Sequence, residues 1–178
     1  MKIIILDRDG VINEDSDDFV KSPDEWIPLS GSLEAIARLN HAGFRVFVAT
    51  NQSGVSRGYF SIDTLNKMHN KMQTLLQKHG GHVDGIFFCP HGPDDNCDCR
   101  KPKPGLYQQI SQRSRAPLHQ VPIIGDSLRD LQAAITVGAN PILVRTGKGN
   151  KTLSSCPDEL RDIPVYQNLS EAVDALLT

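Results

Sequence analysis

Hydrophobic positions along the chain follow two alternating patterns. Apolar runs of strand length occur at residues 2–6, 45–50, 85–89, 121–125 and 141–145, with a weaker one at 165–167. Apolar residues recur at helical spacing over residues 32–42, 61–79, 106–113 and 128–137, and again from residue 171. Near-continuous apolar strands separated by helices are typical of a parallel sheet covered on both faces. The pattern predicts a three-layer α/β/α sandwich with a mainly parallel, Rossmann-like sheet.

Two connections in this pattern are too long and too polar for ordinary turns. They are residues 13–31 after the first strand and residues 90–104 after the third. Loops of this length in a compact α/β domain are usually functional. A length of 178 residues with no internal repeat and no linker predicts a single domain over residues 1–178.

Composition and charge exclude several classes of partner. The formal net charge is -2, so no overall cationic field would recruit nucleic acid or an anionic membrane. No apolar run approaches the roughly 20 residues that span a bilayer. Three of the four cysteines fall within one short segment, which is typical of metal ligands in a reducing compartment. We expect a monomeric, cytoplasmic protein with neither nucleic acid nor membrane as partner.

Carboxylates follow two of the predicted strands. Asp7 and Asp9 come directly after the first strand, with Arg8 expected to point away from them, and Asp126 follows the fourth. Carboxyl ends of parallel strands meet at one crevice, where carboxylates and a substrate phosphate suit Mg²⁺. One carboxylate could attack phosphorus while the other protonates the leaving oxygen; a solvated acidic turn is the alternative. Asp130 either caps the next helix, which we favour, or ligates through water.

The third strand leads into a cluster of metal-ligating side chains. Cys89, His91, Cys97 and Cys99 form a C-x-H…C-x-C pattern within eleven positions. Four protein ligands leave no open coordination position, so the pattern predicts a structural Zn²⁺ rather than free cysteines in a polar turn. The metal would direct the next residues, Arg100 and Lys101, towards the crevice. Cations there would neutralise a transferring phosphoryl group.

Four stretches together resemble the motifs of the haloacid dehalogenase-like phosphatases. They are DRDGVIN, TNQSG, RKPKPG and GDSLRD, and the resemblance spans Lys2 to about Arg145. The Cys/His loop resembles the small cap-less branch, which contains sugar-bisphosphate and histidinol-phosphate phosphatases. The stretches TNQSGVSRGYF and LVRTGKG look most like the sugar-bisphosphate enzymes. The resemblance therefore implies a phosphoric monoester hydrolase that acts on a small phosphorylated sugar and uses Mg²⁺ and Zn²⁺.

The resemblance also implies residue roles. Asp7 becomes the nucleophile and Asp9 the general acid/base. Mg²⁺ is held by the Asp7 side chain, the Asp9 backbone carbonyl and Asp126, while Thr50 and Lys101 stabilise the phosphoryl group. Expected substrate contacts, besides Thr50 and Lys101, are Asp15, Ser16, Asp17, Asp18, Asn51, Gln52, Ser53, Arg57, Arg100 and Ser127. Two features depart from the family pattern: Ser127 stands where many members carry lysine, and only five residues separate His91 from Cys97.

Several alternatives share part of this evidence. A histidinol-phosphate phosphatase would use the same chemistry on a different leaving group. A nucleic-acid end phosphatase also uses a strand-end DxDG, but the acidic balance of charge disfavours it. From another class, the chain could be a non-catalytic phospho-acceptor or a zinc-stabilised binding module. A receiver-like phospho-acceptor would lack both the TNQ loop and the zinc cluster. Arg57 could contact a second anionic group, but on its own it fits an ordinary exposed loop arginine slightly better.

Overall fold

Six strands form one sheet in the computed structural model, which describes residues 2–178. They are β1 (Lys2–Leu6), β2 (Phe44–Asn51), β3 (Gly85–Cys89), β4 (Pro122–Gly125), β5 (Asn140–Val144) and β6 (Val165–Tyr166). Every neighbouring pair is parallel, in the order β3-β2-β1-β4-β5-β6. The predicted Rossmann-like sheet is confirmed.

Helices connect the strands and cover both faces of the sheet. They are α1 (Ser32–His41), α2 (Ile62–Lys78), α3 (Gly105–Ser114), α4 (Leu128–Thr136), α5 (Gly149–Ser154) and α6 (Leu169–Leu177), with one turn of 3₁₀ helix at Asp158–Leu160. The sequence pattern did not predict α5 or the 3₁₀ turn. Helix α5 has six residues, of which only Gly149 and Thr152 are buried, so it carries no apolar period. No helix within residues 2–178 is long and apolar enough to cross a membrane.

The core lies on both sides of the sheet because successive strand residues face opposite ways. In β1, Ile4 and Leu6 pack against α1, α2 and α6, whereas Ile3 and Ile5 pack against α3 and α4. All four side chains are at most 3% exposed. Burying each one contributes about 1.5–3 kcal/mol, so the central strand is held firmly from both faces.

The order of the strands reverses at β1, which has β2 on one side and β4 on the other. Leu6 is in register with Val48 of β2 and with Ile124 of β4. The residues that follow these positions therefore leave the sheet side by side. A reversal of this kind opens a ligand crevice at the carboxyl ends of the strands.

The long loop after β1 is anchored to α2. Trp26 in this loop is fully buried, and the Lys71 ammonium on α2 donates to the carbonyls of Pro23 (2.6 Å) and Trp26 (2.7 Å). These contacts fix the loop over residues 13–31 against the domain. Its first half lies at the crevice.

Candidate active site

A cleft of about 280 Å³ opens at the carboxyl ends of β1, β2 and β4. Its lining includes these sequence-predicted residues: Asp7, Asp9, Asp15, Ser16, Asp17, Thr50, Asn51, Gln52, Ser53, Arg57, Arg100, Lys101, Asp126 and Ser127. Asp18 was expected there but lies outside the lining and is exposed. Its amide donates to the Ser16 hydroxyl at 3.1 Å, in a turn that directs the Asp18 side chain to solvent.

Asp7 is the first residue beyond β1, and its amide continues the sheet by donating to the Ile124 carbonyl at 2.9 Å. Its Oδ1 accepts from the Lys101 ammonium (3.0 Å) and the Arg8 amide (2.8 Å). Within residues 2–178 no donor reaches Oδ2. Burial, followed by the charge of Asp130, raises the pKa of Asp7 to about 7, with Lys101 acting in the opposite sense. One carboxylate oxygen is therefore held while the other is available to react.

Lys101 places a fixed positive charge beside Asp7. Its side chain is 3% exposed, and its ammonium donates to Asp7 Oδ1, to the Ala49 carbonyl at 2.7 Å and to Asp130 Oδ1 at 2.6 Å. Burial lowers the pKa of Lys101, but Asp130 and Asp7 more than offset this and raise it above its usual value. All three ammonium protons are used, so the charge has a single defined position.

Asn51 holds the backbone of Lys101. Its Nδ2 donates to the Lys101 carbonyl at 3.1 Å, and its Oδ1 accepts from the Lys101 amide at 3.0 Å. Asn51 lines the cleft as expected, but both ends of its side-chain amide are occupied by this loop. The main contacts of the Asn51 side chain are therefore with the backbone of Lys101.

The Asp9 carboxylate accepts four hydrogen bonds. Oδ1 receives Arg8 Nη2 (2.7 Å), Arg8 Nε (3.1 Å) and Asn13 Nδ2 (2.8 Å), and Oδ2 receives Gln52 Nε2 (2.8 Å). Burial acts to raise the pKa of Asp9, but the Arg8 charge and these hydrogen bonds outweigh it and lower the pKa. The expectation that Arg8 points away from both acids was wrong. Gln52 also donates to the Thr50 hydroxyl at 2.9 Å, which ties the β2 loop to Asp9.

Asp126 is held by the loop that follows β5 and by helix α5. Its Oδ2 accepts from the Lys148 amide at 2.8 Å, and its carbonyl accepts from the Thr152 hydroxyl at 2.7 Å. This loop approaches so closely that a Cβ on Gly147 would lie 2.2 Å from Asp126 Oδ2 and 2.5 Å from the Gly10 Cα. Burial, followed by Asp7 and Asp130, raises the pKa of Asp126 to about 9. The stretch LVRTGKG therefore positions this acid.

Three acids, Asp7, Asp126 and Asp130, form what we call the carboxylate cluster, with ligand oxygens within 4.8 Å of one another. Asp130 is already satisfied by Lys101, by the Ser127 amide (3.1 Å) and by the Ser127 hydroxyl (2.9 Å), and its predicted capping role is confirmed. The three carboxylates lie around a single buried ammonium, that of Lys101, and burial is the main cause of the raised pKa values of Asp7 and Asp126. Two buried carboxylates of this kind fit a hard divalent cation such as Mg²⁺.

The four predicted zinc ligands also come together, as what we call the thiol cluster. Cys97 Sγ lies 3.7 Å from Cys89 Sγ, and His91 Nδ1 lies 3.5 Å from Cys89 Sγ and 3.4 Å from Cys99 Sγ. A tetrahedral Zn²⁺ with bonds of about 2.0–2.3 Å places its ligand atoms roughly 3.5–3.8 Å apart. The His91–Cys99 separation is 0.1 Å below this range, and the Cys89–Cys99 separation, at 2.9 Å, is clearly shorter. The donor set and its spacing fit zinc.

The mouth of the cleft carries positive charge without matching acids. Arg57, Arg100 and Arg129 all line it, and none has a carboxylate at ion-pair distance within the described chain. Burial, followed by the like charges of Arg129 and Arg57, lowers the pKa of Arg100. The Arg57 guanidinium lies over the Phe19 ring at 5.5 Å. A second anionic group could bind at this position.

Sequence reasoning missed four residues that line the cleft, Phe19, Val20, Arg129 and Lys148, and it did not foresee that Asp130 would bind Lys101. Arg129 and Asp130 belong to the quoted GDSLRD motif and Lys148 to LVRTGKG, so the motifs contained the signal without specifying the contacts. The Lys148 ammonium pairs with Asp15 at 3.1 Å across the cleft. Phe19 has a positive φ of 66° and lies in a loop without periodicity, so no pattern could have located it.

A carboxylate after β1, a hydroxyl at the end of β2, a fixed lysine and a second acid after β4 form the arrangement expected of a haloacid dehalogenase-like phosphatase. Two family models agree with parts of this assignment. One, described as HAD-hydrolase-like, matches residues 98–172. The other, described as polynucleotide kinase 3 phosphatase, matches residues 2–129.

Whole-chain comparisons are more specific. The chain is 57% identical to the D-glycero-beta-D-manno-heptose-1,7-bisphosphate 7-phosphatase of Bordetella bronchiseptica, over 99% of this chain and 98% of that protein. It is 50% identical to the Pseudomonas aeruginosa protein of the same name, over 98% and 97%. The crystal structure of the B. bronchiseptica D,D-heptose 1,7-bisphosphate phosphatase, complexed with magnesium and phosphate, covers 99% of this chain and 98% of its own, with a TM-score of 0.95. The chain belongs to the family of D-glycero-beta-D-manno-heptose-1,7-bisphosphate 7-phosphatases.

Proposed function

We propose that this chain hydrolyses the C7 phosphate of D-glycero-β-D-manno-heptose 1,7-bisphosphate and releases heptose 1-phosphate, a step in supplying nucleotide-activated heptose for lipopolysaccharide. The observation that supports the proposal is that one cleft contains two separate charged regions. Asp7 and Lys101 lie at its base, and the three arginines without acid partners lie at its mouth. A substrate with two phosphates matches both positions. The names of the relatives support the sugar and its β anomer.

The residues of the cleft supply each element of the reaction. Asp7 Oδ2 attacks the C7 phosphorus, the bond from phosphorus to the sugar oxygen breaks, and an aspartyl-phosphate forms. Asp9 gives a proton to the departing sugar oxygen and then takes one from the water that hydrolyses the aspartyl-phosphate. Lys101 and Thr50 stabilise the transferring phosphoryl group.

Asp9 must carry a proton when it acts as the acid. Its four hydrogen-bond donors keep it ionised in the structure described above. A phosphate dianion bound beside it adds negative charge, and a neighbouring like charge raises the pKa of a carboxyl. Substrate binding therefore favours the protonated form of Asp9, which the leaving oxygen requires.

Two metals complete the proposal. Mg²⁺ would be held by the side chains of Asp7 and Asp126 and by the backbone carbonyl of Asp9, and when bound it neutralises charge on the phosphoryl oxygens. Zn²⁺ would be held by Cys89, His91, Cys97 and Cys99 and would fix the loop that delivers Arg100 and Lys101. We expect the enzyme to act as a cytoplasmic monomer on small molecules, as a single domain over residues 1–178.

Phosphate release from three substrates tests the function. We expect Mg²⁺-dependent release of one phosphate from heptose 1,7-bisphosphate, with the C1 phosphate retained in the ³¹P NMR spectrum. Histidinol phosphate and a 3′-phosphorylated oligonucleotide are the comparison substrates, the second because of the family model that matches residues 2–129. A higher kcat/KM for either comparison substrate would overturn the proposed substrate.

The substitution Arg129→Gln tests whether the arginines at the mouth of the cleft bind the second phosphate of the substrate. The variant should raise KM for the bisphosphate while leaving the kinetics of heptose 7-phosphate, which lacks the second phosphate, unchanged. An equal effect on both substrates would contradict a distal anion site at the mouth of the cleft.

A further inference from the structure

One buried titratable side chain has no part in the chemistry described so far. His69 on α2 is 6% exposed. It interrupts the apolar stripe formed by Leu65, Met68 and Met72, which are fully buried against the sheet. A polar group in such a place costs free energy unless it is hydrogen-bonded. The hydrogen-bond partner of His69 therefore indicates the role of this side chain.

That partner is Arg8, whose Nη1 lies 3.2 Å from His69 Nε2. Burial, followed by the positive charge of Arg8, lowers the pKa of His69 to about 3, with Asp9 acting in the opposite sense. The ring is therefore neutral, and Nε2 accepts from the guanidinium while Nδ1 carries the proton. Phe88 packs beside the imidazole, with ring centroids 6.2 Å apart.

The guanidinium of Arg8 connects His69 to Asp9. Arg8 is fully buried, and it binds Asp9 Oδ1 through both Nη2 (2.7 Å) and Nε (3.1 Å). Because a guanidinium is rigid and planar, an acceptor that fixes Nη1 also fixes the directions of Nη2 and Nε. Without His69, the guanidinium would keep its attraction to Asp9 but lose the contact that sets its plane.

We propose that His69 is a positioning residue for the proton-transfer step, which it influences by fixing the Arg8 guanidinium and, through it, the Asp9 carboxylate. The inference rests on the proposed function, in which Asp9 protonates the leaving sugar oxygen. Proton transfer needs heavy atoms within about 2.6–3.2 Å. A displacement of about 1 Å can cost up to a hundredfold in rate. His69 thus contributes to catalysis without touching substrate or metal.

The test compares leaving groups, because only a poor leaving group needs the proton from Asp9. Heptose 1,7-bisphosphate releases a sugar alkoxide, whereas p-nitrophenyl phosphate releases a stable anion that needs no proton. The measured quantity is kcat/KM, which reports the steps up to formation of the aspartyl-phosphate. His69→Leu removes the acceptor, His69→Gln retains a neutral acceptor, and Met72→Ala is the control one turn along the same stripe. His69→Phe keeps a ring against Phe88 and replaces the leucine variant if that variant does not fold.

His69→Leu should lower kcat/KM for the bisphosphate about tenfold or more and for p-nitrophenyl phosphate by less than about twofold. His69→Gln should recover most of the loss. Met72→Ala should lower the melting temperature without changing the ratio of the two substrates. Equal losses on both substrates, no loss in a folded His69→Leu protein, or failure of His69→Gln to recover activity would each overturn the positioning role.

A wild-type enzyme inactive on the bisphosphate would overturn the proposed function instead. The same variants would then be compared on histidinol phosphate and p-nitrophenyl phosphate. The leaving oxygen of histidinol phosphate needs a proton and that of p-nitrophenyl phosphate does not, so this pair of substrates still tests the role of His69.

Discussion

The two clusters of metal-ligating side chains in this molecule are built in opposite ways. The thiol cluster comes from eleven neighbouring residues, 89–99, within a single loop. The carboxylate cluster joins Asp7 at the end of β1 to Asp126 and Asp130 around the start of α4, more than a hundred residues later. The first is a local feature of the chain, and the second exists only when the sheet has formed.

The surroundings of the two clusters differ as well. The carboxylates lie just beyond the packed central strands β1 and β4 and in the first turn of α4, and burial raises the pKa values of Asp7 and Asp126. Three of the thiol-cluster residues are only partly buried, in a loop with little apolar content. A binding site that stabilises its own loop can be built from the loop alone. A reactive site needs groups held by the rigidity of several elements.

The largest expected effect is the loss of turnover in Asp7→Asn. An amide cannot form the aspartyl-phosphate, so kcat should fall by at least about a thousandfold. The melting temperature in EDTA should not fall, because the substitution removes one charge from a cluster with excess negative charge. Asp130→Asn is the matched control and should lower both quantities, since it weakens both the Lys101 contact and the α4 cap. Turnover within tenfold of wild type for Asp7→Asn would refute the assigned nucleophile.

Two glycine substitutions test whether the loop after β5 positions Asp126 in the carboxylate cluster. Gly147 and Gly58 both have positive φ, 57° and 75°, but only a Cβ on Gly147 would contact Asp126, whereas one on Gly58 meets nothing within 4 Å. Alanine at either site costs about 1–2 kcal/mol in backbone strain. Gly147→Ala should also lower kcat/KM at least about tenfold by displacing Asp126. Equal kcat/KM for the two variants would show that the loop after β5 does not position this acid.

Cys97→Ser tests the thiol cluster as a structural element. Loss of a metal ligand should cost at least about 2 kcal/mol of unfolding free energy, which lowers the melting temperature by about 4–8 °C. Limited proteolysis should then cut within residues 90–99, as it should in wild type after verified zinc removal. Cys156→Ser, outside the cluster, is the control. Complete loss of turnover with an unchanged melting temperature would assign the thiol cluster to the chemistry instead.

A further prediction is a pH dependence of stability in the metal-free protein. The pKa values of Asp7 and Asp126, about 7 and about 9, lie above those of the unfolded chain. The folded state therefore retains protons that the unfolded state has released, and stability falls as pH rises from about 4 to about 9. Melting temperatures measured in EDTA between these limits should decline, and Mg²⁺ should reduce the decline. Asp126→Asn should flatten the curve, and a wild-type curve that rises with pH would contradict the raised pKa values.

The sequence was sufficient for most of the fold. Apolar runs identified all six strands, most clearly the central strand β1, whose residues Ile3–Leu6 are buried on both faces and include no polar position. Helix α2 was recognised from a stripe in which Leu65, Met68, Met72 and Leu76 are fully buried. The sequence pattern did not predict helix α5, because a helix of six residues with only two buried positions has no helical repeat of apolar residues. The same limit applies to Phe19, whose ring contacts Tyr59 and Arg57 only in the folded chain.

For the cleft, the sequence predicted which residues line it but not which residues they contact. The motifs identified which residues belong at the strand ends, and all but Asp18 of the expected cleft residues line it. They did not identify what those residues touch: Arg8 binding Asp9, Asn51 holding Lys101, and Asp130 shared between a helix cap and the lysine. Hydrogen-bond partners depend on distances between elements, which no spacing along the chain encodes.

Taken by itself, the sequence determined the parallel sheet, the acids at its carboxyl edge and the ligands of one loop. These features follow from local hydrophobicity and from residues that are close in the chain. Only the tertiary structure decided that three arginines would lack acid partners and that His69 would reach Arg8 across the core. Such contacts join residues distant in sequence, and their energies depend on burial and separation, which exist only after the elements have packed.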